Sequence, residues 1–170
     1  MRPQDRKTAR PQDRFRIGCA LAALLLLGPI TLAAQAKQDS AHHAMQLRGK
    51  VIMGVDQYTS THVFEDLSDG GRIELQRDVD DAEGTRAIRR HLRSIAEAFS
   101  SGDFTAPGLV HMKEVPGTSV MAAQRKAIRY QFRELRRGGE LRIRSTDAAV
   151  IAAIHEFLAF QRAEHVHRHD

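Results

Sequence analysis

The string "FEDLSDGGRIEL" begins at Phe64, and nearly the same string, "FRELRRGGELRI", begins at Phe132. Phe64 matches Phe132, Leu67 matches Leu135, Gly70-Gly71 matches Gly138-Gly139, Ile73 matches Leu141 and Leu75 matches Ile143, all at an offset of 68 residues. Apolar residues alternating with polar ones suit a half-buried strand. A Gly pair between two such runs supplies the positive φ of a tight turn, so each copy is expected to form a β-hairpin. After each hairpin the apolar spacing lengthens to that of a helix, first at Ile88, Leu92, Ile95 and Phe99, then at Ile151, Ile154, Phe157 and Leu158. Gly102 suits the end of the first helix, and Thr146 or Asp147 the start of the second. The result is two ββα units, at about 58–102 and 126–162. Neither can bury its apolar surfaces alone, so the expected class is α+β, with one antiparallel sheet and two helices packed on one face. "QLRGKVIMGV" would add an edge strand ahead of the first unit, and 103–120, with Pro107, Gly108, Pro116 and Gly117, reads as a structured crossing loop.

The chain starts differently. Arg2, Arg6, Lys7, Arg10, Arg14 and Arg16 precede the apolar run "IGCALAALLLLGPITLAA", and Ala34 and Ala36 flank Gln35. A basic region, an apolar region and an A-x-A site in that order make a signal peptide over 1–36, cleaved after Ala36, with an uncleaved anchor as the alternative. The apolar run is short and interrupted by Gly28 and Pro29, which argues against a stable membrane span. The remainder, 37–170, is expected to be a single exported domain, periplasmic or secreted, with a His-rich tail at 163–170.

Removing that segment changes what composition can say. The remaining chain holds 20 basic and 19 acidic residues, a net charge of +1, so the overall basicity is no argument for nucleic acid. The few aromatics are not interleaved with the basic stretches, which also speaks against nucleic acid recognition. Cys19, the single cysteine, leaves with the signal segment, and thiol catalysis, disulfides and Cys-zinc sites leave with it. No Walker loop, G-x-G-x-x-G, G-x-S-x-G or H-E-x-x-H motif is present.

Histidine is the abundant ligating residue, with nine in the chain. His62 alternates in phase with Phe64, His91 borders the first helix stripe, His155 lies on the second and His111, next to Met112, sits in the crossing region. Neutral imidazoles near a core suit copper, zinc or haem iron. A histidine on an apolar face is more usually satisfied by a backbone carbonyl or a buried carboxylate, and no two of these have the i, i+4 spacing of a helical metal site. In the tail, His165, His167 and His169 alternate beside Asp170, a pattern that binds metals loosely or stays solvated; His42-His43 is read in the same way.

Charge patterning offers a second kind of site. At matched positions the copies carry opposite charges: Glu65 against Arg133, Asp69 against Arg137, Glu74 against Arg142. One hairpin face is thus acidic, through Glu65, Glu74 and Asp78, and the other basic, through Arg129, Arg133, Arg142 and Arg144. Such a face either pairs internally across strands or docks a protein partner or a second copy as a homodimer. Arg86, Arg89, Arg90 and Arg93 form a basic side of the first helix. A hydrolase reading would need a histidine beside Glu97, Glu114 or Glu156.

The order of "MGVDQYTSTHVFEDLSDGG", "TRAIRRHLRSIAEAFSSGDFTAPGLVH", "VPGTSVM", "IRYQFRELRRGGELRIRSTD" and "AIHEFLAFQRAEH" resembles a family of small exported bacterial proteins of uncharacterised function, over about 53–165. The resemblance implies histidines recurring at His62, His91, His111, His155 and His165. The chain departs from that pattern at Val63, where a second histidine often follows, and after His165. Members sometimes carry the label aspartate carbamoyltransferase. This chain is too short for such a two-domain subunit, and it lacks a carbamoyl-phosphate loop and a Cys cluster. The expected function is therefore a non-enzymatic exported binding protein, ligating a transition metal or haem through His62, His91, His111 and His155. The alternative is a metal-free interaction module of the cell envelope.

Overall fold

The structure is a computed structural model describing residues 28–54 and 57–165. Most of the expected signal peptide, together with His167, His169 and Asp170, lies outside the described residues. The chain divides into two compact units after Gln38, and every element below except the first turns of α1 belongs to the second.

The elements are α1 (Gly28–Met53), β1 (Ser60–Leu67), β2 (Gly70–Arg77), α2 (Ala82–Ser101), α3 (Thr105–His111), α4 (Thr118–Ala123), β3 (Arg129–Leu135), β4 (Gly138–Arg144) and α5 (Ala148–Glu164). The class is α+β, with one antiparallel sheet ordered β1-β2-β4-β3. Both hairpins form, with Phe64 opposite Ile73 and Phe132 opposite Leu141. They join through β2 and β4, where Ile73 lies opposite Leu141. Those two are matched positions at the 68-residue offset, so the pairing runs symmetrically to either side of them. The hydrogen bonds agree: Arg77 N donates to Arg137 O at 2.9 Å and Ser145 N to Asp69 O at 3.0 Å, again matched positions.

The glycines are used differently from the expectation. The two-residue loops are Ser68-Asp69 and Arg136-Arg137, and the Gly pairs instead open β2 and β4. Only Gly70 has a positive φ, of 134°. The need at the other three is space. A Cβ on Gly138 would lie 1.9 Å from Leu75 O, one on Gly71 2.1 Å from Leu158 Cδ1, and one on Gly139 3.1 Å from Leu92 Cδ1.

These contacts also show that the helices cross over. α2 follows the first hairpin but packs chiefly on β3 and β4, and α5 follows the second but packs on β1 and β2. Ile88, Leu92 and Phe99 from α2, Val150, Ile154, Phe157 and Leu158 from α5, and Ile73, Leu75, Leu141 and Ile143 from the inner strands form one buried cluster. Each helix therefore closes the hairpin that it did not follow, and the core belongs to both halves at once. Asp81 and Asp147 start the two helices by accepting from backbone N–H groups, and Gly102 ends the first in the left-handed region. Asp147 accepts from Ala149 N at 2.8 Å and Val150 N at 3.2 Å. Its replacement by alanine is expected to cost about 1 kcal/mol in a urea titration, without a change of slope.

One expectation is corrected and another refined. The stretch 46–53 is helical rather than an edge strand, because Met45, Gly49 and Ile52 turn inward at helical spacing while Leu47 and Val51 are exposed. In a strand Leu47, Gly49 and Val51 would share one face. The structured crossing loop expected over 103–120 contains two short helices, α3 and the start of α4, with Val110 and Val115 buried. Among the described residues no helix is long and apolar enough to cross a membrane.

Candidate functional site

On the helix-covered side of the sheet, β1, α2, α3 and the end of α5 surround a mostly apolar cavity of about 80 Å³. Its wall includes Phe64, Leu75, Phe99 and Phe157, and among them His62, His91, His111, His165 and Gln161. Three of the four histidines singled out for a core site therefore line one cavity, with His165 in place of the fourth.

His62 reaches the cavity because β1 places it opposite Leu75, two residues from Phe64 on the same face. Its ring stacks on that of His165, centroids 5.7 Å apart, and His165 in turn lies 5.5 Å from the Phe64 ring and 5.3 Å, edge-on, from His111. His165 follows α5, its N–H bonded to Gln161 O, so it belongs to the end of the fold rather than to an extended tail. His111 is the last residue of α3, with a side chain only 1% exposed. Its Nε2 lies 3.3 Å from Gln161 Oε1. An amide oxygen cannot donate, so Nε2 carries the hydrogen and Nδ1 keeps its lone pair. That Nδ1 makes no hydrogen bond among the described residues and stands 3.7 Å from Glu164 Oε2. Burial lowers the basicity of His111, and it pushes the His91 pKa down to about 4, favouring the neutral imidazole in both.

His155 does not line this cavity. Its Nε2 donates to Leu67 O at 3.0 Å and Gly70 O at 2.8 Å, bridging the turn of the first hairpin. At the second hairpin Arg89 does the same, Nη2 donating to Leu135 O at 2.7 Å and Nε to Gly138 O at 3.0 Å. Leu67 and Gly70 are matched to Leu135 and Gly138, so His155 and Arg89 hold equivalent turns. His155 therefore lies apart from the other three histidines of the expected set, with its Nε2 engaged at the turn. Met112 is 70% exposed and offers no thioether to the cavity. Glu97, Glu114 and Glu156 are not among its lining residues, and the carboxylate near a cavity histidine is Glu164.

The basic groups are largely committed. On α2, Arg89 and Arg93 both pair with Glu134, and Arg93 also lies over the Phe132 ring, 4.6 Å from its centroid. Arg162 of α5 makes the corresponding pair with Asp66 on the other edge strand. On the open face of the sheet, Arg142 donates to Gly71 O and Ile143 O at 2.6 Å each and pairs with Asp69, which Arg144 also approaches at 3.4 Å. Arg133 bonds Glu140, whose carboxylate also meets Arg72, itself paired with Glu65 and Glu74. The acidic and basic residues of the sheet face thus largely pair with one another, but through partners other than the matched Glu65–Arg133, Asp69–Arg137 and Glu74–Arg142, while Arg129 is exposed on β3.

Sequence reasoning missed Gln161 and Glu164. Gln161 was detectable, since it follows Ile154 and Phe157 at helical spacing and is the polar residue on an apolar stripe; at 5% exposure it is nearly as buried as they are. Fold and cavity together define a small α+β protein with a histidine-lined apolar pocket. Comparison with protein-family models, curated proteins and solved structures found no match to this chain.

Proposed function

We propose that this chain is a non-enzymatic binding protein that holds a transition-metal ion, copper or zinc, in the pocket formed by His62, His91, His111 and His165. The observation carrying this reading is the spacing of the rings. Two imidazoles on one tetrahedral ion, with metal–nitrogen bonds of about 2 Å, have ring centres roughly 5 Å apart. The His111–His165 and His62–His165 separations are 5.3 and 5.7 Å. As placed, no three His, Cys, Asp or Glu side chains among the described residues converge on one point, so binding requires the rings to turn. Haem fits less well. A cavity of about 80 Å³ is far below the ~300–1,000 Å³ of pockets that enclose organic ligands. The basic and apolar N-terminal segment supports an exported setting, periplasmic or secreted. The alternative, a metal-free interaction module docking a protein through the sheet face, retains Arg129, Arg133 and Arg144 as exposed cations, but Arg133 and Arg144 already lie against Glu140 and Asp69.

Elemental analysis of the protein as recovered from its producing cell is expected to find about one equivalent of zinc or copper. Adding the ion to metal-free protein is expected to raise the melting temperature, since a ligand at 100 times its Kd stabilises by about 2.7 kcal/mol. His111→Ala and His165→Ala are expected to abolish both signals, and His155→Ala to leave stoichiometry unchanged. Trace metal and an unmoved melting temperature for both ions would overturn the reading.

A further inference from the structure

Resting on the metal-site reading above, we infer that the ion is a borderline divalent cation of the zinc class, ligated by His111 Nδ1, Glu164 Oε2 and the His165 imidazole, and that Gln161 is the positioning residue presenting Nδ1. The argument begins with the tautomer. Gln161 Oε1 accepts from His111 Nε2, which leaves Nδ1 as the only ring atom of His111 able to ligate. Metal-binding histidines characteristically donate their other N–H to an oxygen, which fixes the ring and raises its basicity as a ligand. Here that oxygen belongs to a side chain 95% buried, on a helix whose packing leaves it little freedom.

The second donor is already near. Ligand atoms sharing one such ion stand roughly 3–4 Å apart, and His111 Nδ1 to Glu164 Oε2 is 3.7 Å. The other oxygen of Glu164 is held at 3.0 Å by Lys113 Nζ, and Lys113 is itself seated 4.7 Å from the Phe160 ring centroid. The carboxylate is therefore oriented, with Oε2 turned to the histidine. Glu164 and His165 are consecutive, so the end of α5 supplies two donors and the end of α3 the third. His62 stands on the far side of His165 as the next candidate. A carboxylate with imidazoles suits zinc, whereas copper(I) prefers thiolate or thioether, and neither is on this cavity's wall.

The test compares zinc affinity, by competition with a chromophoric chelator, and the cobalt(II) absorption spectrum in wild type, Gln161→Leu, Gln161→Glu and Glu164→Gln. Gln161→Leu is expected to lose 10- to 100-fold in zinc affinity, while Gln161→Glu, which restores an oxygen acceptor, recovers most of it. Glu164→Gln, at a partly exposed position that does not threaten folding, is expected to weaken zinc at least tenfold and shift the cobalt bands. If zinc binds and His111→Ala removes it, yet Glu164→Gln and Gln161→Leu bind like wild type, this donor set is wrong and the metal site stands. Tighter binding of copper(I) with no effect of Glu164→Gln also overturns it. If no ion binds, both readings fall together.

Discussion

Gly138→Ala is expected to leave the chain unable to fold, or to cost it more than about 4 kcal/mol, the range reached only by gross steric or core defects. The added Cβ would sit 1.9 Å from Leu75 O and 2.9 Å from Gln76 Cα, both backbone atoms of the neighbouring strand. A flexible side chain can rotate away from such a contact. Here β2 and β4 must part, and they carry the pairing of Ile73 with Leu141 on which both halves close. Gly108→Ala is the control, because its Cβ would meet nothing closer than Lys113 O at 3.9 Å, and Gly108 lies inside α3. That change is expected to be neutral or to stabilise by up to ~1 kcal/mol, the helix propensity difference. Urea denaturation followed by far-UV circular dichroism would separate the two. A Gly138→Ala protein as stable as wild type would mean that the central strand pair is not as close as described.

The second large effect concerns His155. Its alanine variant is expected to lose about 1–3 kcal/mol, because Leu67 O and Gly70 O both lose their donor at the turn. His155→Arg is expected to regain part of that loss, since Arg89 bonds the matched carbonyls of Leu135 and Gly138. Metal stoichiometry is expected to be the same in both variants. The combination of lowered stability with unchanged metal content separates a turn-bridging histidine from a ligand, and an alanine variant that loses metal at wild-type stability would reverse that assignment.

Much of the fold is written in local pattern. The alternation of Phe64, Ile73 and Leu75, and of Phe132, Leu141 and Ile143, specifies strands, because a strand's faces repeat every two residues. The spacing of Ile88, Leu92 and Phe99 specifies a helix, and Asp147 and Gly102 mark helix ends for stereochemical reasons that act within one turn. The same signals are weaker at 46–53, where Leu47, Gly49 and Val51 also fit one strand face, and only the exposure of Leu47 and Val51 beside a buried Gly49 decides for the helix. The candidate site was legible in part. His62 could be placed by its phase with Phe64 and His91 by its helix stripe, but nothing local distinguished His155 from them.

By itself the sequence determined the two hairpins, the helix that follows each and the α+β class, because those follow from periods and caps a few residues long. Only the tertiary structure decided which hairpin each helix covers, that Gly138 serves close strand approach, that Arg89 and His155 hold equivalent turns, and that His165 and Gln161 belong to the pocket. Each of those depends on groups 46 to 103 residues apart along the chain. Their meeting is set by packing two apolar helix faces on one sheet, a constraint that no local window of the chain contains.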